Sequence, residues 1–227
     1  MAKTVVMVGA LDPKGKGFAF TQGLVDQARA VLEARGCEVR AWYAAGTGGQ
    51  TVENVIAEEH AVALMDITTE LADEVCGGVS NARPERCLAA WRAGIPAVLV
   101  PGGVDMANFG ALETVPEKYN NRLLYQWNPS VTLLRTNVAD NVKMGEMLAA
   151  AANAATAPVA VAIPLGGVSM LDREDGQFWD PLADHACFDV LKQHLRPGIR
   201  YIAMDDHIND RAFAEKVAET LLALLKQ

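Results

Sequence analysis

Seven short apolar runs, spaced along the whole chain, constrain the fold more than any other feature of the sequence. Examples are TVVMVGAL, AVALMDI and PAVLVPGG, and several of the runs are flanked by glycine or proline. Continuous apolar runs of this length are typical of strands that are covered on both faces, as in a parallel sheet. Because helical patterns alternate with the runs, the sequence predicts a doubly wound, mostly parallel sheet of about seven strands in a three-layer Rossmann-like sandwich.

The remaining runs follow the same alternation along the chain. They are VRAWYAA, VTLLRT, PVAVAIPLGG and IRYIAMD, and we expect the last of them to be followed by a helix capped by Asn209 or Asp210. Only residues 100–130 depart from the alternation, and nothing between the runs resembles an interdomain linker. We therefore expect residues 1–227 to form a single Rossmann-like α/β domain.

Composition and charge exclude several classes of protein. Hydrophobic residues make up 51 % of the chain and charged residues 21 %, which predicts a sizeable buried core. The net charge of −8 argues against a nucleic-acid or anionic-membrane surface. The four cysteines include no close pair of the kind that binds zinc, so we expect buried free thiols.

An uncharged stretch at residues 147–171 is long enough to span a bilayer. Asn153, Pro158, Pro164 and a pair of glycines divide it, so we expect a helix end, a turn and a buried strand rather than a membrane span. The chain opens directly into a strand without a signal peptide, which predicts a cytoplasmic protein.

Polar or glycine-rich segments follow six of the predicted strands. In open parallel sheets, ligands bind outside the carboxyl ends of the strands. One such segment is AAGTGGQT, which lies between a strand and a helical pattern. Its glycines and the following helix start could bind a phosphate, or the segment could be an ordinary strand-to-helix turn. The candidate phosphate-binding residues in this segment are Gly46, Thr47, Gly48, Gly49, Gln50 and Thr51. A second pair, Gly166 and Gly167, precedes Ser169 at another strand end, and these three residues are candidates too.

Acidic residues follow two other strands. Asp66 comes directly after the apolar run AVALM, and Thr68, Thr69 and Glu70 follow it at a predicted helix start. A helix cap explains the threonines, and the charge preference of a helix start explains Glu70. Neither explains Asp66, because a carboxylate buried at a cleft needs a partner such as a cation, a metal or a ligand hydroxyl. We treat Asp66 and Glu70 as candidate catalytic residues and the two threonines as candidate ligand-binding residues.

The segment PGGVDMANFG is too apolar for an ordinary solvated loop, and Asp105 and Asn108 are isolated polar residues within it. Asp105 could act in catalysis and Asn108 in ligand binding, or both could hold the loop by internal hydrogen bonds. Arg122 and Arg135 follow, the latter at a strand's carboxyl end. An arginine there suits the bidentate binding of a carboxylate or phosphate, and the alternative is a salt bridge to Asp66, Glu70 or Asp105.

One histidine is placed for chemistry. His207 follows two aspartates at the end of the last predicted strand, where it could be a general base or part of a turn. The sequence contains no GxSxG, HExxH, CxxC, GxGxxG or lysine-bearing P-loop motif.

These same segments resemble the C-terminal half of the Tm-one-like ATP-binding family, from about residue 40 to the end. The resemblance rests on AAGTGGQTVENVI, DITTELADEVCGGV, PAVLVPGGVDMANFG, VPEKYNNRLLYQWNPSVTLLRTN, IPLGGVSMLD and HINDRAFAEKV. It implies a Rossmann-like domain that is normally joined to a similar N-terminal half, and it implies ATP binding. We therefore expect a homo-oligomer, or a separate chain that supplies the other half.

Two hypotheses about function follow. The first is a nucleotide- or phosphate-binding domain of a small-molecule metabolic enzyme, a hydrolase or lyase acting on a small carboxylated or phosphorylated compound. In that hypothesis Arg135 holds the anion and Asp66 or Asp105 handles a proton or Mg²⁺. The alternative is a non-catalytic ATP-binding module that regulates protein assembly.

Overall fold

The computed structural model describes residues 3–9, 20–43, 54–67, 70–81 and 92–226, and the described part is built on a parallel sheet of six strands. The six strands are β1 (Lys3–Gly9), β2 (Cys37–Tyr43), β3 (Ala63–Ile67), β4 (Ala97–Val100), β8 (Val159–Pro164) and β9 (Arg200–Met204). Their order in the sheet is β2-β1-β3-β4-β8-β9, and every adjacent pair is parallel. The fold class predicted from the sequence is confirmed.

Helices cover both faces of the sheet because successive side chains of a strand point to opposite faces. Val5 and Met7 of β1 pack with the helices on one face, whereas Val6 and Val8 pack with those on the other. The first face is covered by α1 (Gln22–Ala34) and α5 (Arg211–Leu224), and the second by α2 (Leu71–Cys76), α3 (Val138–Asn153) and α4 (Pro181–His194).

A separate antiparallel sheet lies between β4 and β8 in the chain. Its order is β5-β7-β6, formed by β5 (Met106–Phe109), β6 (Leu124–Asn128) and β7 (Val131–Arg135). Two short 3₁₀ helices, Leu112–Thr114 and Glu117–Tyr119, connect β5 to β6. The run VTLLRT was expected in the parallel sheet and is instead β7 of this second sheet. It forms a hairpin with β6, because only the turn at residues 129–130 separates the two strands.

Local sequence explains where the helices begin. The side chain of Asn137 accepts a hydrogen bond from the Asp140 N–H, and the side chain of Asp140 accepts one from the Asn137 N–H, so α3 begins with a capping box. Asp180 caps α4 and is followed by Pro181, a residue favoured at the first helical position. Asp210 is the N-cap residue of α5, although its carboxylate accepts a hydrogen bond from the His207 N–H.

Of the cysteines, Cys76 and Cys187 are buried free thiols and Cys37 is a half-buried free thiol, while Cys87 lies outside the described residues. In the described ranges, none of the helices combines the length and apolar character that a membrane crossing requires.

Candidate functional site

The order of the strands defines one crevice at the edge of the main sheet. From β1 the chain continues to β2 on one side, and β3 then lies on the other side of β1. The carboxyl ends of β1 and β3 therefore flank a switch point, the position at which ligands bind in open parallel sheets. Residues 10–19 and 68–69, which follow these two strands, lie outside the described residues.

Two acidic side chains are buried next to this switch point. Asp66 pairs in register with Val8 of β1 and is 3 % exposed, and Glu70, the N-cap residue of α2, is 2 % exposed. Thr21 is fully buried, and its side chain lies close to Gly9 at the end of β1 and to Gly102 just after β4. The described part of the crevice is thus small, polar and acidic.

Eight of the predicted site residues lie outside the described residues, and their roles stay predictions. These are Gly46, Thr47, Gly48, Gly49, Gln50, Thr51, Thr68 and Thr69.

Asn108 lies in a network with a buried acid on α2. Its side-chain amide donates to Asp73 Oδ2 at 2.8 Å, and its backbone N–H donates to Asp73 Oδ1 at 3.0 Å. The backbone N–H of Ser80 also donates to Asp73. Burial raises the pKa of Asp73 to about 6, and these hydrogen bonds oppose that rise. Asn108 therefore connects β5 to α2, as the structural interpretation of this segment predicts.

Arg135 is 4 % exposed and makes its contacts within the protein. Its Nε donates to the carbonyl oxygen of Phe178 at 2.6 Å, and its Nη1 donates to Oγ1 of Thr136 at 3.1 Å. Its Nη2 donates to Oδ1 of Asp184 at 2.7 Å and lies 3.7 Å from Oδ1 of Asp172. Each guanidinium nitrogen thus has a partner within the protein. Arg135 forms salt bridges, but among the described residues these are with Asp184 and Asp172 rather than with Asp66, Glu70 or Asp105.

Asp172 and Asp184 were not predicted as site residues. Both are buried, at 0 % and 4 % exposure, and both lie close to Arg135. Asp172 ends the motif VSMLD. Asp184 lies in the first turn of α4, where the positive end of the helix dipole is the ordinary explanation for an acidic residue. The isolated Asp172 after an apolar motif is the one signal in the sequence that could have identified the pair.

Asp105 belongs to the same buried region. Its Oδ2 accepts a hydrogen bond from Oγ of Ser169 at 2.7 Å, and its side chain is fully buried. Burial raises the pKa of Asp105 to about 7, repulsion from Asp172 adds to the rise, and attraction to Arg135 opposes it. Burial is also the main cause that raises the pKa of Asp184, to about 8.

Ser169 and the two glycines before it form a closely packed turn. Oγ of Ser169 accepts hydrogen bonds from the N–H groups of Leu171 and Asp172, at 3.1 and 3.3 Å. A Cβ atom on Gly167, where φ is +124°, would overlap the backbone carbonyl oxygen of Asp172, and one on Gly166 would lie 2.7 Å from that of Asp205. These contacts are sufficient reason for glycine at both positions.

His207 has a partner for each ring nitrogen. The backbone N–H of Asn209 can only donate, so Nδ1 is the acceptor of that 3.1 Å hydrogen bond and carries no proton. Nε2 therefore carries the proton and donates to the carbonyl oxygen of Ser169 at 2.8 Å. This arrangement holds the loops after β8 and β9 together and leaves neither nitrogen directed at the crevice.

Arg122 has a smaller internal network. Its Nη2 donates to Asp140 Oδ2 at 2.8 Å and to the carbonyl oxygen of Arg135 at 2.7 Å, with 21 % of its side chain exposed. It thus joins the end of β7 to the start of α3. In the part of the chain that the structure describes, no group of three or more histidine, cysteine, aspartate or glutamate side chains has an arrangement that could hold a metal ion.

The fold and the crevice define an open α/β domain in which the strand order reverses at the position where such domains bind ligands. Comparison with known proteins identifies the family of this domain. The C-terminal domain of the uncharacterised protein family UPF0261 matches residues 16–225. The chain therefore belongs to this family, and the resemblance found in its motifs is confirmed.

Similar proteins occur in bacteria and in a plant. A UPF0261 protein of Clostridium tetani is 39 % identical over 212 residues, which is 92 % of this chain and 52 % of the relative. One from Rhizobium meliloti is 43 % identical over 177 residues, or 77 % of this chain and 44 % of the relative. The ToMV resistance protein Tm-1 of Solanum lycopersicum is 33 % identical over 210 residues, or 91 % of this chain and 28 % of that protein. The chain thus spans about half or less of the length of these relatives.

Proposed function

We propose that this domain binds a nucleotide or another small phosphate-bearing compound at the carboxyl ends of β1 and β3. The observation that carries the proposal is the switch point itself, because strand order places two buried carboxyl groups, Asp66 and Glu70, beside the crevice where such sheets bind ligands. The glycine-rich segment after β2 supplies backbone N–H groups for a phosphate at the same edge.

A divalent cation bound between them would allow an acidic crevice to bind an anionic ligand without repulsion. Mg²⁺ binds proteins through one or two carboxylates together with the oxygens of a substrate phosphate. Asp66 and Glu70 fit this description in chemistry and burial, so we propose that they hold Mg²⁺ or handle a proton when the ligand is bound. Asp105 and His207 are poorer candidates, because the first is fully buried and the second uses both ring nitrogens in the turn.

On this basis we propose that the domain is part of a small-molecule metabolic enzyme, a hydrolase or lyase acting on a carboxylated or phosphorylated compound. We also propose that it is cytoplasmic and works as an oligomer, or with a chain resembling the family's N-terminal half. The greater length of its relatives supports a multidomain arrangement.

Thermal unfolding with and without ligand tests the binding site. At a hundredfold excess over its dissociation constant, MgATP or phosphate should stabilise the folded protein by about 2.7 kcal/mol. Gly49→Ala should reduce this stabilisation, because a methyl group would block the approach of the phosphate, and Asp66→Asn should reduce the part that requires Mg²⁺.

Two control variants separate binding from general damage. Asp189→Asn changes an exposed aspartate on α4, and Gly198→Ala introduces a methyl group into open space at φ +94°. Both should keep the full ligand-induced shift. If neither MgATP nor phosphate changes the melting temperature of the unsubstituted protein, the proposal is wrong. Stabilisation by MgATP without turnover of any phosphate ester would instead favour a non-catalytic ATP-binding module.

A further inference from the structure

Three buried carboxyl groups surround one arginine that the proposed ligand site does not use. We call Asp105, Asp172, Asp184 and Arg135 the carboxyl cluster. Asp105 and Asp172 are 0 % exposed, and Asp184 and Arg135 are 4 % exposed. Asp105 precedes β5 and Arg135 ends β7, whereas Asp172 follows β8 and Asp184 lies on α4. The carboxyl cluster therefore joins the antiparallel sheet to the segment that runs from β8 to α4.

The charges of the carboxyl cluster do not balance if every acid is ionised. Within the described residues, Arg135 is the cation that forms ion pairs with these carboxyl groups. His207 lies close to Asp172 in the loop after β9 and lowers the pKa of that aspartate, and its ring nitrogens form hydrogen bonds with Ser169 and Asn209. From α4, the buried Cys187 thiol faces Asp184, and burial raises the pKa of that thiol. The carboxylate of Asp180, at the start of α4, accepts a hydrogen bond from the Ala183 N–H.

Two of the carboxyl groups face each other directly. Nη2 of Arg135 lies 2.7 Å from Oδ1 of Asp184 and 3.7 Å from Oδ1 of Asp172, so both carboxyl groups face the same guanidinium nitrogen. Two ionised carboxylates in one buried site repel each other, and a proton on one of them removes that repulsion. Oδ1 of Asp172 and Oδ1 of Asp105 are both buried and accept no hydrogen bond from an N–H or hydroxyl donor in the described residues.

We propose that Asp172 and Asp184 share one proton in the folded protein, so that the carboxyl cluster is a pH-sensitive latch between the antiparallel sheet and the β8–α4 segment. With that proton present, one carboxyl group can donate to the other while Oδ1 of Asp184 accepts from Arg135. Without it, two carboxylates repel each other in a buried site beside a single guanidinium, and the two parts of the latch separate more easily.

The sign of the pH dependence follows from linkage. Burial raises the pKa of both Asp172 and Asp184 above the usual value for aspartate, so the folded protein holds a proton that the unfolded chain releases. The stabilisation is complete below the unfolded pKa of about 4 and is lost as the pH rises through the folded value of about 8.

Denaturant unfolding between pH 6 and pH 9 tests the latch. We expect the midpoint for the unsubstituted protein to fall over this range, because the folded state holds protons that the unfolded chain releases. Asp184→Asn keeps a donor for Asp172 and an acceptor for Arg135 but does not titrate. Its midpoint should change much less with pH and should exceed that of the unsubstituted protein at pH 9.

A matched control comes from the same part of the molecule. Asp140 pairs with Arg122 at 2.8 Å in a balanced ion pair of one acid and one arginine. Asp140→Asn should therefore keep the pH dependence of the unsubstituted protein. If Asp184→Asn also keeps that dependence, the latch is wrong.

Infrared spectroscopy of the folded protein provides a readout that does not depend on variant stability. The carbonyl stretch of a protonated carboxyl group should be present at pH 7 in the unsubstituted protein and should disappear as the pH rises above 8. The band should be weaker in Asp172→Asn or Asp184→Asn, whichever of the two folds. Absence of the band from the unsubstituted protein at pH 7 would overturn the proposal.

Discussion

Replacement of Arg135 by methionine is expected to lower the free energy of unfolding by about 3–5 kcal/mol, because it removes the cation from a buried ion-pair network and leaves the acids behind. The same change leaves the carbonyl oxygens of Phe178 and Asp180 without the hydrogen bonds that Arg135 donates to them. Denaturant titration at pH 7 measures the effect. An unchanged slope of the free energy of unfolding against denaturant concentration would show that the unfolding transition itself is unaltered.

Arg122→Met is the control for Arg135→Met. Arg122 also bonds to an aspartate and a carbonyl oxygen, but it is partly exposed, so its replacement should cost only about 1 kcal/mol. Asp184→Asn combined with Arg135→Met should recover part of the loss, since it removes one of the acids that Arg135→Met leaves unpaired. Equal losses in the two arginine variants would contradict the structural role assigned to Arg135.

Gly167→Ala is expected to destabilise the protein by about 2–5 kcal/mol through the combined cost of backbone strain and overpacking. The residue has a φ of +124°, and its new methyl group would overlap the carbonyl oxygen of Asp172, a backbone atom that cannot rotate away. The N–H of Ile208 also donates to the carbonyl oxygen of Gly167 at 3.0 Å, so a shift of this turn would disturb the loop after β9.

Gly198→Ala separates strain from overpacking. Gly198 has a φ of +94° with open space around its Cβ position, so its replacement should cost only the strain, about 1–2 kcal/mol. Thermal and denaturant unfolding of both variants give the comparison. If Gly167→Ala is no worse than Gly198→Ala, packing does not explain the glycine, and a ligand-binding role for the Gly166–Gly167 pair gains support.

Apolar runs predicted the main sheet well because a strand covered on both faces needs nearly every residue to be apolar, as in AVLV of β4. The same rule misplaced β7, whose VTLLR is equally apolar. Its partner β6 has half-buried and exposed residues in LYQWN, so no apolar run marked it as a strand. Tertiary pairing, rather than composition, decides which sheet such a strand joins.

The candidate site was predicted less completely than the fold. Strand ends indicated which residues to expect near an edge of the sheet, since parallel strands align their carboxyl ends. Whether a polar side chain there faces a ligand or a protein partner depends on residues distant in sequence. Asp184 lies 49 positions from Arg135, and Ser169, whose carbonyl oxygen bonds to the ring of His207, lies 38 positions from that histidine. Sequence spacing contains no signal for such contacts.

The position of the antiparallel sheet between β4 and β8 has a consequence for how the chain folds. Ala97 of β4 pairs with Val159 of β8, so the whole antiparallel sheet belongs to the loop that this pairing must close. The hairpin of β6 and β7 is local, with Asn128 paired to Val131, and needs little loop closure of its own. Early formation of this hairpin would shorten the flexible part of the loop and bring β8 closer to β4. We therefore expect substitutions in the hairpin to slow folding of the main sheet, although no residue of the hairpin belongs to that sheet.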